Sequence, residues 1–263
     1  MTDERKPMSM RAAFSLEGRR ALVTGSARGI GRAIARALAE YGATVAVHGV
    51  RASEALDGAL EEVRALSQRS AAVTGDLAEP GAAGRIVRAA TAAVGAPDIL
   101  VANASVQIRQ PWLEVTPEEA LLQMQVNFHA TFQLIQAAYP SMRTQGWGRI
   151  VSVGSVQELR PHVEMPIYAA SKSALENLVR NLAKLVGPDG VTVNNLCPGV
   201  FATDRNADVL SNPDYAEQVR VRIPVRDFAE PRDAAGAALL LCSEAGRYIT
   251  GTTIRVDGGM GIA

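Results

Sequence analysis

The sequence predicts an α/β domain built on a single doubly wound parallel sheet with helices on both faces. Short β-branched runs alternate with longer Ala-, Leu- and Arg-rich segments of helical period along the chain. The segments between strand-like runs are long enough to carry a helix back across a sheet, which parallel pairing requires and a hairpin does not. No Ser/Gly-rich linker or break in composition divides the 263 residues.

Taken in order, residues 20–24 read as the first strand, since Ala21, Leu22 and Val23 form a short apolar run. Residues 30–41 follow as a helix with Ile34, Ala37 and Leu38 on one face, stopped by Gly42. Strand 44–48 leads to helix 54–68, and strand 70–75 to helix 81–94. Strand 98–102, bounded by Pro97 and Asn103, leads to a long helical stretch, 117–142. Strand 149–153, helix 167–185, strand 191–196, helix 232–241 and strand Thr253–Val256 close the pattern. Between them the irregular stretch 198–231 carries Pro213 and Pro224. A connection of that length in a compact domain predicts a mobile substrate flap, at about residues 203–230. Residues 1–15 read as a flexible N-terminal tail, and 16–263 as one catalytic domain.

Composition narrows the function classes. Apolar residues make up 48% and charged residues 21%, ordinary values for a globular chain with a sizeable core. Basic and acidic residues balance at 27 each, so neither nucleic acid nor an anionic membrane surface is an expected partner. Residues 1–11 mix charges of both signs without an apolar run, and no segment approaches the roughly 20 apolar residues of a membrane span. Cys197 and Cys242 lie far apart without C-x-x-C spacing, so buried thiols and a cytoplasmic location are expected. His48, His129 and His162 are dispersed and lack ligand spacing, so no metal site is predicted.

Two motifs carry chemistry. Between the first strand and helix stands Thr24-Gly25-Ser26-Ala27-Arg28-Gly29-Ile30-Gly31. Glycine there permits a tight turn and lets the backbone approach a pyrophosphate at the positive end of a helix. Further on, Tyr168 and Lys172 stand at i and i+4 on a helix, so both project from one face. An ammonium beside a phenol favours the phenolate and is expected to lower its pKa. Ser155, at the end of a strand, precedes Tyr168 by 13 positions.

This combination resembles the short-chain dehydrogenase/reductase family, from about Gly18 to Gly259. The resemblance implies a Rossmann-type fold, a nicotinamide cofactor and hydride transfer between a carbonyl and a secondary alcohol. It implies that Tyr168 transfers the proton, that Ser155 polarises the substrate oxygen and that Lys172 also binds the nicotinamide ribose. Asn127, in Val126-Asn127-Phe128, matches the family's helix asparagine, which bends its helix and holds a water linked to the lysine. Cofactor contacts carried over are Gly25, Ser26, Arg28, Gly29, Ile30 and Gly31 of the turn, with Asp76 and Leu77 after the third strand. Asn103 joins them from a degenerate N-N-A-G motif in which Ala102 and Ser105 replace two members. Pro198, Gly199, Val200 and Thr203 match the family's P-G-x-x-x-T segment.

The end of the second strand reads Val47-His48-Gly49-Val50-Arg51, with no carboxylate to bond the adenosine ribose. Gly49 holds the position where NAD-selective relatives carry Asp, and Arg28 and Arg51 suit a 2′-phosphate. NADP(H) is therefore expected in preference to NAD(H). Segments expected at the substrate cleft include Gln107, Gln157, His162 and Arg205, a set more polar than a steroid or acyl pocket needs. A sugar, polyol or hydroxy acid is the expected substrate, with Arg160 or Arg205 available to a carboxylate. A 3-oxoacyl-carrier-protein reductase is the alternative enzyme, and a non-catalytic nicotinamide-binding sensor or scaffold the alternative outside catalysis. A homo-oligomer, tetramer or dimer, is implied by resemblance alone.

Overall fold

The computed structural model describes residues 8–263, apart from the side chains of residues 208 and 209. Strands β1 (Arg20–Val23), β2 (Thr44–Gly49), β3 (Ala71–Thr74), β4 (Ile99–Ala102), β5 (Gly148–Val153), β6 (Val191–Pro198) and β7 (Thr253–Val256) form one sheet. Their order is β3-β2-β1-β4-β5-β6-β7, and every pairing is parallel. The order reverses between β1 and β4, and a doubly wound sheet leaves its ligand crevice there, outside the carboxyl ends of the strands.

Helices cover both faces, so the central strands are apolar on both sides rather than alternating. Ala21 and Val23 of β1 join Ile99, Val101, Val151 and Val153 in one core. Leu22, Leu100 and Ile150, one residue out of step, point into the other. Helix α2 (Gly29–Glu40) packs Ile34, Ala35 and Leu38 onto the first core. Helices α4 (Ala82–Val94) and α6 (Ala130–Gln145) supply Ile86, Val87, Leu134 and Ile135 to the second. Among the described residues no helix is long and apolar enough to cross a membrane.

The structure departs from the sequence expectation in four places. The stretch read as one helix over 117–142 is α5 (Pro117–Met124), a π-helical turn at Gln125–His129, and then α6. Part of the predicted irregular flap is helical, as α8 (Asp204–Leu210) and α9 (Pro213–Arg220), the latter capped by the Asn212 side chain. The helix expected from 232 begins as a 3₁₀ turn at Pro231–Ala234 before α10 (Ala235–Cys242). Of the predicted N-terminal tail, residues 1–7 lie outside the described residues, whereas α1 (Met10–Phe14) is a turn of helix capped by Ser9 with Ala13 buried. The remaining helices are α3 (Glu54–Leu66) and α7 (Pro166–Val186).

One ion pair ties the amino-terminal edge of the central strands. Asp98 is buried just before β4 and accepts Arg20 Nε at 2.8 Å, Arg20 Nη2 at 2.9 Å and the Arg20 backbone N–H at 2.9 Å. Removing the carboxylate strands a partly buried guanidinium and a backbone donor. Asp98→Ala is therefore expected to lower unfolding stability by about 3 kcal/mol, measured by urea unfolding; a loss under about 0.5 kcal/mol, the range of ordinary surface substitutions, contradicts this reading.

Candidate active site

Because all strands run the same way, the loops that follow β1, β4, β5 and β6 emerge at one edge. Register places Val23 beside Val101, Val101 beside Val151 and Val153 beside Leu196. Asn103, Ser155 and Gly199 follow these strand ends, so the segments that carry the candidate residues are neighbours before any side chain is considered.

The glycine turn after β1 is built for close approach. Gly25 and Gly29 have φ of 64° and 58°, a region that side chains rarely adopt. A Cβ on Gly31 would lie 2.4 Å from Asn103 Nδ2, and one on Gly25 would lie 2.9 Å from Ala104 Cα. Arg28 caps α2 without a side-chain hydrogen bond, which leaves the first-turn N–H groups open. A cradle that any Cβ would fill, at the positive end of a twelve-residue helix, fits the pyrophosphate of a dinucleotide. Thr203, at the start of α8, closes over the turn, 3.6 Å from where a Gly29 Cβ would stand.

The turn is stitched from behind. Thr24 Oγ1 accepts the N–H groups of Asn103 and Ala104 at 3.0 and 3.1 Å, and Asn103 Nδ2 donates to the carbonyls of Thr24 and Gly25. His48 accepts the Gly25 N–H at Nδ1 (3.1 Å) and so carries its proton on Nε2, which donates to the Gly75 carbonyl at 3.0 Å. Ser26 does not reach the outer face: it is buried, its hydroxyl donates to Val23 O and accepts from His48 N–H, and its own N–H goes to His48 O. Ile30 packs its side chain on the core. Asp76 spends one carboxylate oxygen on the Ala78 N–H, a turn-capping bond, and the side chain of Leu77 is buried. Arg28 of the turn and Arg51 of the loop after β2 are both exposed, Arg28 standing 3.9 Å from Asp204. Gly49 ends β2, and a Cβ there would press on Leu56 at 3.3 Å.

Ser155, Tyr168 and Lys172 meet at the end of β5. Tyr168 and Lys172 lie one turn apart on α7, both buried, with Lys172 Nζ 5.6 Å from the centre of the Tyr168 ring. Ser155 and Arg205 are the groups that act on the Tyr168 phenol to favour its ionised form. Burial raises the Tyr168 pKa above its ordinary value, against the lowering effects of Arg205 and Ser155. This corrects the expectation that Lys172 would lower it: the cation acting most on the phenol is Arg205. Lys172 donates from Nζ to Val153 O at 2.6 Å, and burial, reinforced by Arg205, brings its pKa down to about 7.

Asn127 sits in the π-helical turn, a distortion found mostly at functional sites. Its side chain accepts the Val106 N–H at 2.8 Å and donates to Val106 O and Ser171 Oγ. It thus pins the loop after β4 to α7. Ser155 is held by a residue that sequence reasoning passed over: Glu158 Oε1 accepts the Ser155 N–H at 3.1 Å, and both carboxylate oxygens accept from Asn195 Nδ2. A Cβ at residue 154 would lie 1.9 Å from that carboxylate, which explains the glycine before Ser155.

Pro198 ends β6, and Gly199 lies so close to Asp257 that its Cβ would stand 2.7 Å from Asp257 Cα. The Val200 carbonyl accepts the Ala229 N–H, tying the flap's two ends together. Of the expected substrate contacts, Gln107 is half-buried in the loop after β4. Gln157 accepts the His162 N–H at 2.6 Å, and His162 Nδ1 accepts the Glu164 N–H, so both stabilise their own loop. Arg160 turns away to the carbonyls of Met260 and Ala263 and is not available to a carboxylate in the cleft.

His48 gives this turn an acid sensitivity. Burial lowers its pKa below the ordinary 6.5, so it is neutral at pH 7 and accepts the Gly25 N–H. A group with a depressed folded pKa contributes stability above its unfolded value that is lost as pH falls through the folded value. Urea unfolding between pH 8 and pH 5 is expected to show stability falling below about pH 6.5, more steeply than in His48→Gln; parallel profiles contradict this.

Comparison with known proteins agrees with the geometry. A family model described as Enoyl-(Acyl carrier protein) reductase, one of the short-chain dehydrogenase type, matches residues 25–261. The chain is 34% identical over 246 residues to an L-rhamnose 1-dehydrogenase (NAD(P)(+)) of Sphingomonas sp. (strain SKA58), covering 93% of this chain and 97% of the relative. It is 34% identical over 256 residues to the gluconate 5-dehydrogenase of Gluconobacter oxydans (strain 621H), covering 97% and 100%. Among solved structures, a 3-oxoacyl (acyl-carrier-protein) reductase from Agrobacterium tumefaciens C58 with NADP bound superposes with a TM-score of 0.91 at 40% identity, over 95% of this chain and 97% of that one. The chain belongs to the short-chain dehydrogenase/reductase family.

Proposed function

We propose that the protein is an NADP(H)-preferring oxidoreductase that interconverts a carbonyl and a secondary alcohol on a small polar substrate. The observation that carries it is the convergence of Ser155, Tyr168 and Lys172 beside the glycine turn. When bound, the nicotinamide supplies or accepts the hydride. The glycine turn and the α2 N-terminus hold its pyrophosphate, with Val200 and Thr203 at its nicotinamide end.

Tyr168 exchanges the proton with the substrate oxygen. Burial keeps its hydroxyl protonated at neutral pH, which suits donation during reduction. The Ser155 hydroxyl points a second donor at the same oxygen, where negative charge develops. Lys172, buried and bonded to β5, holds a polar contact for the cofactor ribose and passes the proton onward. Asn127 keeps the loop after β4 and α7 in register so that these groups stay aligned.

Names of relatives support polar substrates: L-rhamnose and gluconate dehydrogenases are among them. The Agrobacterium structure favours a second reading, reduction of a 3-oxoacyl thioester. A panel of sugars, polyols and hydroxy acids with NADP⁺, set against acetoacetyl thioesters and aromatic ketones with NADPH, separates them. Turnover of the apolar ketones alone overturns the polar reading. An assembly of two or four copies is part of the proposal, by family, and sizing the purified protein tests it.

Cofactor choice rests on the exposed Arg28 and Arg51 and on Gly49, which leaves the end of β2 without a carboxylate. NADPH is expected to bind about 10-fold or more tightly than NADH, the worth of one charge-assisted contact, and Arg51→Ala to narrow the gap. Fluorescence titration measures both constants; equal or tighter binding of NADH contradicts the assignment.

A further inference from the structure

Ser155 stands at the head of a short 3₁₀ turn, Val156–Glu158, and its polar groups are committed within that turn. Its hydroxyl oxygen accepts the Gln157 N–H at 3.2 Å, which leaves the hydroxyl hydrogen free to point elsewhere. Its backbone N–H donates to Glu158 Oε1 at 3.1 Å, and the Glu158 N–H returns to the Ser155 carbonyl at 2.9 Å. Residue 158 therefore grips the main chain of Ser155 on both sides.

The carboxylate is itself anchored from beneath. Asn195, fully buried on β6, donates from Nδ2 to both Glu158 oxygens at 3.1 Å. Its Oδ1 accepts the hydroxyl of Ser152, the residue paired with it on β5, at 2.8 Å. On the other side Asn195 Nδ2 reaches Thr253 Oγ1 of β7 at 3.4 Å, and Thr253 donates to Glu176 Oε1 of α7 at 3.3 Å. Glu176 lies one turn beyond Lys172 on that helix. The bonds thus run from the Ser155 main chain, by way of β6 and β7, to the helix that carries Tyr168 and Lys172.

This seat has two costs. Burial disfavours the charged form of Glu158. Position 154 is held to glycine, since a Cβ there would stand 1.9 Å from Glu158 Oε1 and 2.7 Å from Asn195 Nδ2. An exposed side chain caps a turn without either cost. What the buried amide adds is a single fixed geometry, as fully satisfied polar networks do.

We infer that Glu158, seated on Asn195, is a positioning residue that aims the Ser155 hydroxyl at the substrate oxygen. The inference rests on the reading above, in which Ser155 donates to that oxygen. The effect of Glu158 on turnover passes entirely through Ser155.

A double-mutant cycle on the intact enzyme tests this, with the best substrate of the panel above and its nicotinamide cofactor. Glu158→Ala is expected to lose about 10- to 100-fold in kcat, while NADPH binds within a few-fold of wild type. Its kcat and kcat/KM are expected to fall together, the mark of an interaction made in the transition state. In a Ser155→Ala background the same change is expected to cost no more than about twofold. Asn195→Ala keeps the cap and removes its seat, and gives a second cycle with a smaller loss and the same lack of further cost. Glu158→Gln keeps an acceptor for the Ser155 N–H, and the Asn195 amide can turn over because the Ser152 hydroxyl accepts as well as donates. It is expected to recover most of the activity.

Losses that add in the Ser155→Ala background overturn the inference, and so does a Glu158→Gln enzyme as slow as Glu158→Ala, which makes charge the determinant. Turnover of Ser155→Ala at the wild-type rate removes instead the reading of Ser155 on which the inference rests.

Discussion

In a sheet whose seven strands all run one way, every strand ends at the same edge, and the backbone groups beyond the last ladder bond need partners there. The site depends on how this chain meets that need. Thr24 Oγ1 takes two N–H groups from the loop after β4, Asn127 takes the Val106 N–H, and Glu158 takes the Ser155 N–H. Each bond satisfies a loop and fixes a candidate functional residue in the same stroke. The geometry around Tyr168 follows from these sutures.

Electrostatics then sets what the site can do. Burial acts on both members of the Tyr168/Lys172 pair in the direction that favours neutrality, raising the phenol and bringing the ammonium down to about 7. A buried phenol that stays protonated is a proton donor waiting for a developing oxyanion. The compensating charge comes from Arg205, carried on the flap rather than on the sheet. The scaffold supplies alignment, and the flap supplies a charge from outside the core.

Much of this was legible in the sequence because it is local. The alternation of apolar runs gave the order of strands, and strands β1 to β7 each fall within two residues of their expected bounds. Tyr168 and Lys172 share a helix face by the four-residue spacing alone. What was illegible depends on groups distant in the chain. His48 is a dispersed histidine until β2 and the glycine turn are side by side, and Glu158 is a loop carboxylate until Asn195 of β6 comes beneath it. Arg160 and Arg205 look equivalent as exposed arginines, yet one bonds the C-terminal segment and the other Ser105 of the loop after β4. The π turn at Asn127 was hidden because its residues suit an ordinary helix.

The central claim is that Tyr168 moves the proton at a nicotinamide site, and replacing it with phenylalanine tests this most directly. Tyr168→Phe is expected to bind NADPH within a few-fold of wild type by fluorescence titration, while kcat on a polar substrate falls on the order of 1,000-fold. Turnover within a few-fold of wild type, with the cofactor still bound, would contradict it.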